Sequence, residues 1–132
     1  MKILLDTSAY SAFMRGHEGV LDFVQRAERI AVTPIVLGEL LSGFRLGKRT
    51  RKNHDLLNRF LGSTRVESLP IDDGTARRYS DIVEHLRSEG TPIPTNDLWI
   101  AASAMQHGLI VVSTDTHFDK VPQISKEILP VS

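Results

Sequence analysis

Three short runs that are apolar at every position, residues 3–5, 30–32 and 109–112, limit the folds open to this chain more than any other feature. A strand with one face in water alternates apolar and polar residues, whereas a strand that is apolar throughout is covered on both faces. Such strands belong to a parallel sheet held between two layers of helices. Helical periodicity follows each of the first two runs and precedes the third, so the order of elements predicts an α/β fold.

The elements can be placed in turn. A strand over residues 2–5 ends at Asp6-Thr7-Ser8, a carboxylate and two hydroxyls able to cap a helix over 9–14 that stops at Gly16. An amphipathic stretch with Val20, Leu21, Phe23 and Val24 precedes a strand at 30–32. Thr33-Pro34 supplies a hydroxyl cap and a first-turn proline for a helix over 35–44, ended by Gly43 and Gly47. A basic connector at 47–52 leads to a helix carrying Leu56, Leu57, Phe60 and Leu61, stopped at Gly62, and then to a strand at 66–69. Asp72 and Asp73 read as caps of a helix over 72–90 with Ala76, Tyr79, Ile82, Val83 and Leu86 on one face. After a stiff loop at 91–94, Thr95 or Asn96 caps an alanine-rich helix that runs to Gly108, followed by a strand at 109–113 and an edge strand at 128–131. The expectation is a single domain over 1–132, a three-layer α/β/α sandwich around a mainly parallel sheet.

Composition narrows the chemistry. At 132 residues with 41% hydrophobic side chains, the chain can build a core without covalent staples. It has no cysteine, which excludes disulfides, thiolate metal sites and cysteine nucleophiles, and fits a reducing compartment. No apolar run approaches the ~20 residues of a membrane helix, and the three apolar residues before Asp6 cannot serve as a secretory core. A cytoplasmic protein with no membrane contact is expected. Basic and acidic side chains balance at 16 each, so only their distribution is informative.

That distribution places acids where strands end and helices begin, the edge at which open parallel sheets gather their chemistry. Asp6 ends the first strand, Asp97 opens the alanine-rich helix, and Asp115 follows the strand at 109–113. Glu39 lies on or at the edge of the inward face of the helix at 35–44. Two carboxylates ~4 Å apart at an effective dielectric of ~20 repel by about 4 kcal/mol, so converging acids must take up protons or a cation. Carboxylates and water suit Mg²⁺ or Mn²⁺, and such an ion activates water and screens a phosphodiester.

These residues carry a family resemblance. The segments Leu5-Asp6-Thr7-Ser8, Glu39-Leu40-Leu41-Ser42-Gly43, Asn96-Asp97-Leu98-Trp99-Ile100-Ala101-Ala102 and Ser113-Thr114-Asp115-Thr116-His117-Phe118 resemble the PIN-domain signature, in its order and at its spacing, over essentially the whole chain. In length and motif style the chain is most similar to the VapC toxins of VapBC toxin–antitoxin pairs. The resemblance implies a Mg²⁺- or Mn²⁺-dependent endoribonuclease that forms a homodimer and is held by a VapB-type antitoxin. It makes Asp6, Glu39, Asp97 and Asp115 the catalytic quartet, with Asp6, Asp97 and Asp115 as metal ligands. Thr7, Ser8 and Thr114 match supporting hydroxyls, Asn96 a polar neighbour of the third acid, and Asp119 an outer acid. Tyr10 departs from the pattern, standing where an aliphatic residue is usual.

Each feature also has a plainer reading. Asp6-Thr7-Ser8 alone is more often a cap than a ligand, a lone glutamate such as Glu39 is usually solvated, and Asp97 could serve only the helix dipole. Lys48, Arg49, Arg51 and Lys52 are equally a solvated connector or a cradle for RNA phosphates. The histidines lack zinc spacing, with His117, two residues beyond Asp115, the exception to watch. Trp99 reads as core or dimer packing, and the apolar surface of residues 37–61 as a seat for the antitoxin or a second subunit. The competing functions are a catalytically silent RNA- or partner-binding module of the same fold, and an aspartate phosphatase or phospho-acceptor. The latter lacks its second acid after Asp6 and its lysine after the strand at 109–113.

Overall fold

In the computed structural model, residues 1–131 are described. Five parallel strands form one sheet: β1 (Lys2–Leu5), β2 (Arg29–Val32), β3 (Val66–Ser68), β4 (Ile110–Ser113) and β5 (Ser125–Ile128), in the order β3-β2-β1-β4-β5. Helices α1 (Thr7–Met14) and α2 (Glu18–Arg26) connect β1 to β2; α3 (Pro34–Leu46) and α4 (Thr50–Leu61) connect β2 to β3. Helices α5 (Asp73–Glu89) and α6 (Thr95–His107) return the chain across the sheet to β4, and a 3₁₀ helix, Thr116–Lys120, precedes β5.

Because successive strand residues point to opposite faces, the apolar runs split into two sets. Ile3, Leu5, Ile30, Val32 and Val112 pack with Ala9 and Ala12 of α1 and Val20 and Val24 of α2. Leu4, Ala31 and Val111 pack with Ile82 and Leu86 of α5 and Leu98 and Ile100 of α6. Leu37 of α3 and Phe60 and Leu61 of α4 touch both sets. The expected α/β/α sandwich is therefore present, and every pairing in its sheet is parallel.

The local signals behave as their chemistry dictates. Thr33 Oγ1 accepts the Val36 N–H at 3.4 Å ahead of Pro34, and Asp72 caps α5 through a reciprocal box with Thr75. Gly90 and Gly108 end α5 and α6 at φ 67° and 65°, the left-handed region that glycine occupies without a Cβ penalty. Trp99 stacks on Tyr79 with ring centroids 4.1 Å apart, tying α5 to α6.

Five expectations need correction. Gly43 does not end α3, which runs on to Leu46 with Gly47 as its cap, because the helical ladder continues past a single glycine. The last strand is Ser125–Ile128, not 128–131, because Pro130 has no N–H to continue a ladder and the half-buried edge tolerates polar residues. The cap of α6 is Pro94, not Thr95 or Asn96, and it makes no side-chain bond. Helix α4 starts at Thr50, whose hydroxyl donates to the Phe44 carbonyl at 2.7 Å, so Arg51 and Lys52 are helical and not part of a connector. Ala76 is exposed, which leaves a narrower apolar stripe on α5.

The strand order reverses beside β1: β2 is reached on one side, β4 on the other. A crevice opens at the carboxyl ends of strands at such a reversal. Phe118, fully buried in the 3₁₀ helix, anchors the segment that returns from this crevice. Phe118→Ala should lower the unfolding free energy by about 3–5 kcal/mol and Phe118→Leu by less than about 1.5 kcal/mol, measured by urea denaturation.

Candidate metal centre

The site is assembled at the carboxyl ends of β1 and β4. Asp6 leaves β1 and caps α1, its Oδ1 accepting the Ala9 N–H at 2.8 Å. The Ser8 hydroxyl donates to the same oxygen at 2.8 Å, and the Ser113 hydroxyl donates to Oδ2 at 2.6 Å. Each hydroxyl then accepts a backbone N–H from the chain leaving β4: Thr114 N–H to Ser8 Oγ at 3.0 Å, and Asp115 N–H to Ser113 Oγ at 2.9 Å. The exits of β1 and β4 are stitched together through two serines, and Asp6 is both a cap and the centre of this network.

The other acids come from three further elements. Glu39 on α3 accepts the Thr7 hydroxyl at 2.6 Å. Asp97, in the first turn of α6, and Asp115, the cap of the 3₁₀ helix, meet at the His117 ring: Nδ1 is 2.8 Å from Asp97 Oδ2 and 3.1 Å from Asp115 Oδ1. The His117 backbone N–H also donates to Asp115 Oδ1 at 2.9 Å. Among the described residues, donor atoms of Asp97, Asp115 and His117 all lie within 4.8 Å of one another.

Electrostatics distinguishes this cluster from ordinary surface acid. Burial pushes the Asp6 carboxyl above its usual range; bonds from Ser113, Ala9 and Ser8 oppose the shift, and Asp97 adds to it. Asp97 is likewise raised, first by burial and then by Asp115 and Glu39, with His117 pulling the other way. Asp72, a cap with no strand exit beneath it, moves down instead, chiefly through its bond from Gln106. A divalent cation is a group whose positive charge would compensate the buried carboxylates. The carboxylate oxygens and the imidazole nitrogen are donors that such an ion accepts.

The remaining residues fall at graded distances from this centre. Thr7 and Ser8 contribute hydroxyls, whereas Thr114 contributes its backbone N–H. Asn96 is exposed and shares a shallow depression with Glu39 and Ser42. Asp119 is exposed and makes no hydrogen bond or ion pair among the described residues. Lys48, Arg49, Arg51 and Lys52 are exposed, and Arg49 and Lys52 join Arg15 around a cavity of about 300 Å³ floored by Tyr10, Met14, Phe44 and Leu56. Tyr10 is almost fully buried, its ring edge-on to Phe60 at 5.3 Å, so the departure from an aliphatic residue is absorbed in packing, although its hydroxyl has no partner. Ser113 lies within the motif segment at 113–118, but its role as donor to Asp6 has no sequence signal, because the two residues are 107 positions apart.

A family model described as PIN domain matches residues 3–124. Ribonuclease VapC5 of Mycobacterium tuberculosis is 34% identical over 115 residues, covering 87% of this chain and 84% of that protein. The structure of DNA-bound VapBC from Salmonella typhimurium superposes with TM-score 0.83 at 28% identity, covering 96% of this chain and 97% of the other. That of VapBC2 from Rickettsia felis, bound to a DNA fragment from their promoter, gives 0.82 at 25% identity, with 96% and 98% covered.

The raised carboxyls fix a pH dependence. Folding favours their protonated forms, so their stabilising contribution is full below the ordinary value of 3.8 and is lost as pH rises through the higher folded values. Asp6→Asn keeps a neutral group of the same shape. In EDTA its melting temperature should exceed that of the wild type at pH 7.5, and the gap should narrow as the pH is lowered toward 3.8 in thermal unfolding scans. A gap that is absent or independent of pH would contradict the buried-charge account.

Proposed function

The chain belongs to the PIN-domain family, and on that premise we propose that it is a metal-dependent endoribonuclease, the toxin of a type II toxin–antitoxin pair. The observation that carries this reading is the convergence of Asp6, Glu39, Asp97 and Asp115 from four elements on one sheet edge, with burial raising two of them. An acid set serving only stability would not be assembled at a cost to the fold. The name of the mycobacterial relative supports RNA as the substrate, and the VapBC complexes among the neighbours support a VapB-type antitoxin as partner.

In this reading Asp97, Asp115 and Asp6 would hold Mg²⁺ or Mn²⁺. Such an ion, when bound, would polarise water and screen the phosphodiester oxygens. The chain's own groups do the rest. Ser8 and Ser113 fix the Asp6 carboxylate through both oxygens. Thr7 orients Glu39, whose second carboxylate oxygen would accept a proton from water. Asn96, beside Glu39, is positioned to contact the RNA backbone. Lys48, Arg49, Arg51 and Lys52 neutralise phosphates farther along the strand.

The apolar side chains left exposed on α3, Leu41 at 37% and Leu46 at 90%, fit a covering partner, either the antitoxin or the second subunit of a homodimer. No described helix is long and apolar enough to cross a membrane; together with the absence of cysteine this supports action in the cytoplasm. The test is incubation of antitoxin-free protein with total RNA, followed by mapping of new ends. Discrete cleavage should occur with Mg²⁺ or Mn²⁺, cease in EDTA and fall at least about 100-fold in Asp97→Asn. Cleavage that persists in both controls would contradict the proposal.

A further inference from the structure

His117 is the one group at the centre that the proposed chemistry leaves without a task. Its Nδ1 lies 2.8 Å from Asp97 Oδ2 and 3.1 Å from Asp115 Oδ1. Adjacent ligands of an octahedral ion with bonds of about 2.1 Å stand roughly 3.0 Å apart, so the nitrogen occupies a ligand's place with respect to both carboxylates. The ring is held there. Its own backbone N–H is bound to Asp115 at 2.9 Å, and the next residue, Phe118, is fully buried.

We infer that His117 Nδ1 is a direct ligand of the metal ion beside Asp97 and Asp115, so that the centre is a mixed nitrogen–oxygen site. The inference rests on the metal-dependent function proposed above and deepens it. The ring ligates as neutral imidazole with its proton on Nε2. Imidazole favours first-row transition ions, whereas Mg²⁺ keeps to carboxylate and water. The centre therefore selects Mn²⁺ over Mg²⁺, and His117 determines that choice. Of the five histidines in the chain, only His117 lies within two residues of one of the four acids.

Electron spin-echo envelope modulation of Mn²⁺ bound to the whole protein reports a directly coordinated nitrogen. The wild type should show ¹⁴N modulation that converts to the ¹⁵N pattern after labelling with [¹⁵N]histidine. Both His117→Ala and His117→Gln should lose the imidazole signal, the glutamine variant guarding against loss of packing; the other four histidines remain in each. By calorimetric titration, His117→Ala should bind Mn²⁺ at least about tenfold more weakly while Mg²⁺ affinity changes less than about threefold. Bound Mn²⁺ without nitrogen coupling, or with the same coupling in the variants, overturns the assignment of His117 and leaves the nuclease reading standing. Absence of Mn²⁺ binding to the wild type overturns both.

Discussion

The parallel pairing of β1 with β4 is the contact on which the rest of the structure depends. Its register, Leu5 opposite Val112, brings the end of the first strand to the end of the fourth, and so sets Asp6 beside Ser113 across 107 positions of sequence. Without that pairing there is no strand-order reversal, no crevice, and no surface on which Asp97 and Asp115 can meet. The apolar character of both strands specifies it: each must be buried on two faces, and only a central place between helix layers provides that.

The same contact concentrates charge in a way that opposes folding. Asp6 is 4% exposed and receives three hydrogen bonds, yet its carboxyl is still raised, because burial outweighs them. A structure selected for stability alone would place a neutral side chain there, since a buried ion is costly unless it is compensated. The fold tolerates the cost by spending its best hydrogen-bond donors on one carboxylate. On the proposed reading the arrangement gains affinity for a cation, with the His117 ring seated between Asp97 and Asp115.

Much of this was legible in the chain before the fold was known. The strands at 2–5, 30–32 and 109–113, the Thr33-Pro34 helix start and the Asp72 cap follow from local chemistry, and so does the placing of Asp6, Asp97 and Asp115 at helix or strand ends. The contacts that the sequence does not show depend on distant partners, although Thr114 and His117 themselves are singled out there. Ser113 matters because Asp6, 107 residues away, needs a donor. Thr114 acts through a backbone N–H that no side-chain motif records. His117 is local to Asp115, but its contact with Asp97 requires α6 and the 3₁₀ helix to be neighbours. The last strand was misplaced because apolar content was followed where an edge is set by hydrogen bonding, and Arg51 and Lys52 were read as a loop because charge was weighed ahead of helix propensity.

On the proposed reading, the crevice between β1 and β4 is a divalent-metal centre built from these carboxylates. Anomalous diffraction from crystals of the protein equilibrated with Mn²⁺ addresses it most directly. The account predicts a dominant anomalous peak in contact with Asp97 and Asp115 at the mouth of the crevice, abolished by Asp97→Asn. A strong peak elsewhere on the molecule, or no ordered ion at the crevice in crystals where the metal is present in excess, would contradict it.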